Sequence, residues 1–190
     1  LDIVGQAQLT YIVAQSGENI FLIDQHAAHE RIVFERLMSG YRSGKLEIQD
    51  QLFAQPLKLS EDQVDALLKH SHELKKMGIE LEQLGPQEMG VKSAPAILKG
   101  QALTKALQVL ASEINEKGGS FAIEKSVADV FASMACHSVV RAGQALSAEE
   151  MRNILVQMDE SPLSGFCPHG RPVHIELTRQ RIEKEFGRIV

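Results

Sequence analysis

The sequence predicts an α+β fold from three observations. Two apolar segments near the N-terminus, 4–14 and 19–24, are patterned like strands around a turn that contains Gly17. Capping boxes that begin at Ser60 and Ser147 mark the starts of two helices whose apolar residues recur at helical spacing. A further strand pattern follows near the C-terminus. Strands at both ends with helices between them are typical of a mixed fold.

The other elements are predicted from their own start and stop signals. A helix is expected from about Ala27 to Met38, with Gly40 as its end. The helix after Ser60 is expected to continue to Gly78, because its apolar residues stay on one face. The remaining predicted elements are strands at 79–84, 89–93 and 173–177, and helices around 103–114, over 124–142, after Ser147 and after Thr178.

Composition excludes several classes of protein. The chain has 190 residues, of which 44% are hydrophobic and 24% charged, and this balance predicts a soluble globular core. No apolar run approaches the roughly 20 residues that span a bilayer, and no signal-peptide pattern is found. The absence of an initiator Met suggests a fragment of a longer protein. The net charge of -5 argues against strong autonomous binding to DNA.

Two short segments contain residue types that bind metal ions. His26 and Glu30 are four positions apart, so one helical face can offer both to the same ion. Asp24 precedes that helix, where it can receive a proton or hold a water molecule. Cys167 and His169 flank a proline, which restricts the turn and lowers the backbone freedom lost on binding.

A cysteine on a predicted helix, Cys136, completes a set of five expected ligands. Two sulfurs, two imidazoles and a carboxylate suit zinc, with room for a second, more oxygen-loving ion shared through the carboxylate. Two ions about 3.5–4 Å apart stabilise the attacking and leaving oxygens of a phosphoryl displacement, so the set predicts phosphodiester hydrolysis. The expected ligands are His26, Glu30, Cys136, Cys167 and His169.

Simpler interpretations exist for each part of this set. Cys136 fits a small buried apolar residue, and the pair of His26 and Glu30 fits a solvated surface contact. The turn around Cys167 can be purely structural. The metal interpretation is favoured by concentration, because both cysteines and five of the seven histidines lie in or beside three short motifs.

The three motifs resemble those of the MutL mismatch-repair endonucleases. Residues 24–35 match the pattern D-Q-H-A-x-x-E-x-x-x-x-E, and 167–172 match C-P-H-G-R-P. Residues 135–138 resemble an Ala-Cys-Arg-like element of that family, with His137 in the place of the arginine, and 186–188 match its terminal F-x-R. Because the motifs occur in the expected order over nearly the whole chain, the sequence is similar to a MutL C-terminal domain.

The resemblance implies a domain organisation and a function. A dimerisation subdomain is expected from both chain ends, 1–44 and 123–190, with an inserted α/β regulatory subdomain at 45–122. The implied activity is a latent endonuclease that forms a homodimer and nicks duplex DNA in bacterial mismatch repair, in the cytoplasm and at the nucleoid during repair. Weak DNA binding by the domain alone, contact with the recognition protein MutS through the full-length protein, and no membrane association are expected.

The resemblance also assigns roles to residues and ions. Asp24 and Glu30 are the expected catalytic carboxylates, and Glu30 also ligates metal with His26 and the Cys and His residues given above. Zinc is the expected structural or regulatory ion, while manganese or magnesium supports cleavage. Glu35 is expected to orient or support the site. Asp24 is expected to be unnecessary for folding, so that Asp24→Asn removes nicking alone.

A second family feature is a sliding-clamp-binding motif after the first helix. Gln49, Leu52 and Phe53 fit its pattern Gln-x-x-Leu-Phe, in which the glutamine and two apolar residues bind a groove on the clamp. The alternative is that Leu52 and Phe53 begin a core strand.

Two other functions remain open at this level. One is a zinc-stabilised dimerisation and partner-binding module without nuclease activity in isolation. The other is a metal-dependent hydrolase of small phosphate esters.

Overall fold

The structure, a computed structural model, describes residues 1–98, 100–117, 123–138, 143–161 and 165–188. Within these residues it contains both strands and helices, which confirms the α+β class. The strands are β1 (Asp2–Ala7), β2 (Tyr11–Ser16), β3 (Asn19–Asp24), β4 (Ile48–Lys58), β5 (Glu80–Gly85), β6 (Glu88–Pro95) and β7 (His174–Leu177). The helices are α1 (Gln25–Ser43), α2 (Glu61–Lys69), α3 (Ser71–Lys76), α4 (Gly100–Lys117), α5 (Ile123–Ser138), α6 (Ala148–Glu160) and α7 (Arg179–Glu185).

The chain forms two compact units. The first unit consists of residues 1–35 and 139–190, and the second of residues 36–138. The sequence-based division differs from this one at 36–44 and 123–138, which it assigned to the subdomain of the chain ends. In the structure α5 packs against α4, and this contact groups residues 123–138 with the second unit. No helix in the described ranges is long and apolar enough to cross a membrane.

The first unit is built on an antiparallel sheet with strand order β1-β2-β3-β7. One face of the sheet is buried, because Ile12, Ala14 and Ile23 pack against apolar residues of α1 and α6. The predicted inward-facing residues of α6 are confirmed, and these are Met151, Ile154, Leu155 and Met158.

The second unit contains an antiparallel sheet with order β4-β6-β5 and the helices α2 to α5. Leu103, Leu107 and Leu110 of α4 are fully buried at helical spacing, as their periodicity predicted. Both α2 and α5 pack against α4. The capping box of α2 is also confirmed, since the Ser60 hydroxyl accepts from the N–H of Gln63.

One strand prediction was wrong, and one strand was not predicted. The predicted strand 4–14 is two strands, because Gln8 and Leu9 have φ angles of 54° and 50° and turn the chain back. Left-handed conformations are uncommon for residues other than glycine, so the sequence carried no turn signal here. The strand β4 was not predicted, since its exposed residues do not alternate with buried ones.

Two helix predictions also differ from the structure. The first helix continues past Gly40 to Ser43, and Gly44 at φ 65° follows its end. A Cβ at Gly40 would lie 3.1 Å from the Cα of Leu46, so this glycine permits a close approach. The helix predicted from Ser60 to Gly78 is divided into α2 and α3 at His70. The predicted segment 139–142 of the Cys136 helix lies outside the described residues.

Candidate metal centre and its surroundings

The start of α1 brings the first group of candidate residues together. Asp24 ends β3, where its N–H donates to the carbonyl of Val173 at 2.9 Å. Its Oδ1 accepts from the N–H groups of His26 at 2.9 Å and Ala27 at 3.0 Å. These two bonds make Asp24 the N-cap of α1, which gives its side chain a structural contact in addition to its predicted catalytic role.

His26 and Glu30 lie one turn apart on α1, as their spacing predicted. A ring nitrogen of His26 and a carboxylate oxygen of Glu30 are within 4.8 Å of each other. Glu30 is buried, although a glutamate is rarely found buried without a partner for its charge. The helix therefore directs a carboxylate into the first unit, beside an imidazole.

The turn around Cys167 is held by its own backbone. The N–H of Cys167 donates to the carbonyl of Arg171 at 2.8 Å, and the N–H of Gly170 donates to the carbonyl of Cys167 at 2.9 Å. Gly170 has a φ of 80°, which glycine adopts without steric cost. The turn buries Cys167 to 3% exposure and leaves His169 half-exposed.

This turn and α1 meet at three ligand atoms. The Sγ of Cys167, a ring nitrogen of His169 and a carboxylate oxygen of Glu30 all lie within 4.8 Å of one another. Within the first unit the structure thus brings together Glu30, Cys167 and His169, with His26 beside Glu30. Cys167 also belongs to the apolar core of the first unit, so it has a packing role as well.

The contact between Glu30 and His169 is a test of whether the cluster fits a metal ion. Glu30 Oε1 lies 2.6 Å from His169 Nδ1, yet among the described residues this buried oxygen accepts no hydrogen bond of acceptable geometry. A buried carboxylate oxygen in this position, next to a thiol and an imidazole, fits coordination of a divalent ion such as zinc.

Two further motif residues, Cys136 and Glu35, are described within their own units. Cys136 is partly buried on α5 in the second unit, and its predicted role as a ligand stays a prediction. Glu35 forms an ion pair with Arg31, and both side chains are largely buried. The Arg31 guanidinium also stacks over the ring of Phe34, 5.5 Å from its centroid. In the first unit Glu35 therefore contacts an arginine one turn away.

Sequence reasoning missed a role for Gln25. This side chain is 1% exposed and donates to the carbonyls of Leu9 at 2.9 Å and Gln144 at 3.1 Å. It also accepts from Gln6 at 2.5 Å. These bonds tie the start of α1 to the left-handed turn after β1. A polar residue between Asp24 and His26 gives no sequence signal for such burial.

A pocket of about 230 Å³ opens beside Asp24 at the end of β3. Its lining is largely apolar and includes Asp24 and His174. The lining residues are Tyr11, Leu22, Asp24, Pro172, Val173, His174 and Ile175.

The clamp-motif candidates lie on β4 in the second unit. Asp50 pairs with Ser93 and Gln55 pairs with Val91, so residues 51–54 bulge out opposite Lys92 alone. We call residues 51–54 the β4 bulge. Leu52 and Phe53 are 91% and 82% exposed in it. The alternative that they begin a core strand was therefore wrong, because neither side chain is buried.

The sequence comparisons agree with the motif resemblance. A family model described as "MutL C terminal dimerisation domain" matches residues 4–146. The DNA mismatch repair protein MutL of Paramagnetospirillum magneticum is 40% identical over 185 residues, which cover 96% of this chain and 30% of that protein. The protein of the same name from Geobacter sulfurreducens is 38% identical over 189 residues, covering 100% of this chain and 31% of that protein. The chain thus spans about a third of the length of these relatives.

Proposed function

Because the chain belongs to the family of MutL C-terminal dimerisation domains, we propose that it is the endonuclease domain of a DNA mismatch-repair protein. It nicks duplex DNA by metal-dependent phosphodiester hydrolysis and acts as a homodimer. The observation that carries this proposal is the cluster of Glu30, Cys167 and His169, joined to Asp24 through the first turn of α1.

The residues of the cluster are proposed to bind the metal ions that the cleavage reaction requires. Glu30, Cys167 and His169 would hold zinc, with His26 beside Glu30 and Cys136 as the further expected ligand. Manganese or magnesium is the ion that supports cleavage, and it supplies Lewis-acid polarisation of the scissile phosphate when bound. Glu30 is the carboxylate of this set, the type of ligand that the more oxygen-loving ion would prefer.

Asp24 is positioned to act on the attacking water. Two helix N–H groups donate to its Oδ1, and they fix the plane of the carboxylate relative to α1. Asp24 therefore orients the water or receives its proton through the other oxygen, Oδ2.

The zinc-stabilised module without nuclease activity is the second candidate. It is favoured by the burial of Cys167 in the apolar core, because structural zinc sites are closed and rich in thiolate. A supercoiled-plasmid nicking assay with manganese, with and without sliding clamp, separates the two. We expect nicking by the wild type and by Asp159→Asn, which changes an exposed carboxylate of α6 in the same unit. Asp24→Asn should not nick.

Each other result has a definite meaning. Equal nicking by the wild type and Asp24→Asn would contradict the catalytic role of Asp24. No nicking by any variant, with zinc bound and the dimer formed, would favour the inactive module. Nicking of DNA that is not stimulated by clamp would leave the nuclease and remove the clamp from the proposal. Hydrolysis of small phosphate esters in preference to DNA would favour the remaining alternative.

The proposed clamp contact is supported by the β4 bulge. Gln49, Leu52 and Phe53 supply the glutamine and the two apolar side chains of the motif, and the last two are almost fully exposed. Large apolar side chains exposed to this degree on a bulge are typical of a docking element. Delivery by a clamp also suits a net charge of -5, since an acidic domain neutralises few phosphates. Contact with MutS belongs to the full-length protein.

The proposed homodimer is supported by the outer face of the first sheet. The strand register places Tyr11, Val13 and Leu22 on the face opposite the core, together with Ile175. An antiparallel sheet with one solvated face normally carries polar residues there. A second copy of the chain offers the same apolar surface, and a two-fold axis makes that surface self-complementary. We assign this face to the dimer contact.

A further inference from the structure

The β4 bulge rests on a glycine of the neighbouring strand. Gly90 of β6 is buried and pairs with Pro56 of β4 and Glu82 of β5. A Cβ added at Gly90 would lie 2.9 Å from the Cβ of Ala54. It would also lie 3.2 Å from the Cγ of Glu82 and from the Cδ1 of Leu84. A distance below 3.0 Å between two such carbons requires one of them to move.

The three neighbours differ in what they can do. The Glu82 and Leu84 atoms lie partway along or at the end of flexible side chains, which can rotate away. The Cβ of Ala54 is attached directly to the main chain, so relief of that contact must displace the backbone of the β4 bulge. Ala54 directly follows Phe53. The absence of a side chain at Gly90 therefore affects the position of the exposed Leu52 and Phe53.

We propose that Gly90 is a positioning residue for clamp docking, because it lets the β4 bulge lie close on β6 and so sets how Leu52 and Phe53 are presented. The inference rests on the proposed clamp contact. Both side chains are nearly free of contacts with the rest of the unit, since they are 91% and 82% exposed. Their direction is therefore set by the bulge backbone. Presentation in a fixed direction lowers the ordering cost of binding.

The test is a double-mutant cycle with binding to purified sliding clamp as its measurement. Gly90→Ala should weaken the affinity by about tenfold. Ala54→Gly removes the methyl group that Gly90→Ala would meet, so the double variant should bind within about threefold of Ala54→Gly alone. Ala54→Val crowds the same contact from the bulge side with Gly90 intact, and it should also weaken binding.

Gly85→Ala is the matched control in the same sheet. A Cβ at Gly85 would lie 3.9 Å from the Cβ of Glu88, which is an ordinary contact. This variant should bind clamp like the wild type. Weakening by Gly85→Ala equal to that by Gly90→Ala would overturn the proposal, because any added methyl group in the sheet would then have the same effect.

A second measurement reports on the bulge itself. The chain has no tryptophan, so Phe53→Trp places a single fluorescent reporter in the β4 bulge. Gly90→Ala should shift its emission, and Ala54→Gly should restore it. Unchanged emission would overturn the proposal even if affinity fell, because the loss would then arise elsewhere.

Phe53→Ala separates failure of this inference from failure of the clamp contact. Loss of binding by Phe53→Ala, with wild-type binding by Gly90→Ala, would overturn the role of Gly90 and leave the clamp contact standing. Wild-type binding by Phe53→Ala would overturn both, since the presented residue would not matter. Loss by both variants, with recovery in the Ala54→Gly double variant, is the expected result.

Discussion

At the scale of single residues, Asp24 combines two roles that are usually tested as one. Its Oδ1 begins α1 by accepting two N–H bonds, and α1 carries His26 and Glu30. A substitution that removes the side-chain oxygens therefore disturbs the helix start as well as the proposed chemistry. The choice of substitution decides which role is measured.

Asp24→Ala should lower the free energy of unfolding by about 1 kcal/mol, because alanine cannot cap the helix. Asp24→Asn should stay within a few tenths of a kcal/mol of the wild type, since asparagine caps as well as aspartate. Urea unfolding monitored by circular dichroism measures both. Equal destabilisation by the two variants would show that the carboxylate charge, rather than the cap, supports the fold at this position.

His169→Asn should weaken zinc binding at least roughly tenfold, because loss of residues that only support a ligand already costs that much. His169 is half-exposed, so its replacement leaves the apolar core intact, unlike that of Cys167. The zinc content after dialysis and the melting temperature with and without chelator are the measurements. His72→Asn, on the exposed surface of α3, is the control and should keep full zinc content.

The candidate site was predictable where residue types are rare and patterned. Cys167 and His169 were identifiable because the chain has only two cysteines and each lies within two residues of a histidine. The cap at Asp24 was also signalled, since an aspartate before a helix is an N-cap pattern, but the helix was predicted to begin at Ala27. The burial of Gln25 had no such signal, because it depends on carbonyls of Leu9 and Gln144 that are distant in sequence.

At the scale of elements, the two capping boxes predicted the starts of their helices correctly, because a capping box is a signal between residues close in sequence. Ser60 with Gln63 and Ser147 with Glu150 form both reciprocal bonds in the structure. The strand β4 was not predictable in this way. It carries the exposed Leu52 and Phe53, and it forms a strand because it pairs with β6, which is distant in sequence. Local chemistry thus predicted helix starts, whereas strand pairing required the fold.

Ser60→Ala and Ser147→Ala should each lower the free energy of unfolding by about 1 kcal/mol. Each hydroxyl accepts one N–H at the first turn of its helix, and alanine leaves that N–H without its protein partner. Ser71→Ala, at an exposed position of α3 where the N-cap is His70, should change stability little. Chemical denaturation compares the three. A similar loss in Ser71→Ala would show that the effect is not capping.

The second capping box also predicts a pH dependence. The hydrogen bond from the Ser147 backbone N–H, followed by that with its hydroxyl, lowers the pKa of Glu150 from the ordinary value of 4.5. A lowered pKa means that the ionised carboxylate stabilises the folded state above pH 4.5, and that this contribution is lost as the pH falls through the lowered pKa. Denaturation of wild type and Glu150→Gln at pH 7 and at pH 3 measures it. The difference between the two should shrink at acidic pH, and a constant difference would contradict the assignment.

At the scale of the whole molecule, the outer sheet face of the first unit predicts the oligomeric state. Ile175→Asp should convert the dimer to a monomer in size-exclusion chromatography with light scattering, because a second copy would bury the new carboxylate without a partner. Val156→Asp changes a side chain of equal exposure on α6, 50% against 52%, and should stay dimeric. A dimeric Ile175→Asp would remove this face as the contact and leave the family assignment intact.

The division of the chain has a consequence for its synthesis. The first unit contains residues 1–35 and 139–190, and its sheet is complete only when β7 pairs with β3. Residues 36–138 leave the ribosome before that strand exists, so we expect the second unit to complete its own sheet while the first still lacks one edge. Glu30 likewise precedes Cys167 and His169 by most of the chain. A nascent or truncated polypeptide that lacks the turn around Cys167 therefore has no assembled cluster, and any chemistry of the cluster must wait until that turn has been synthesised.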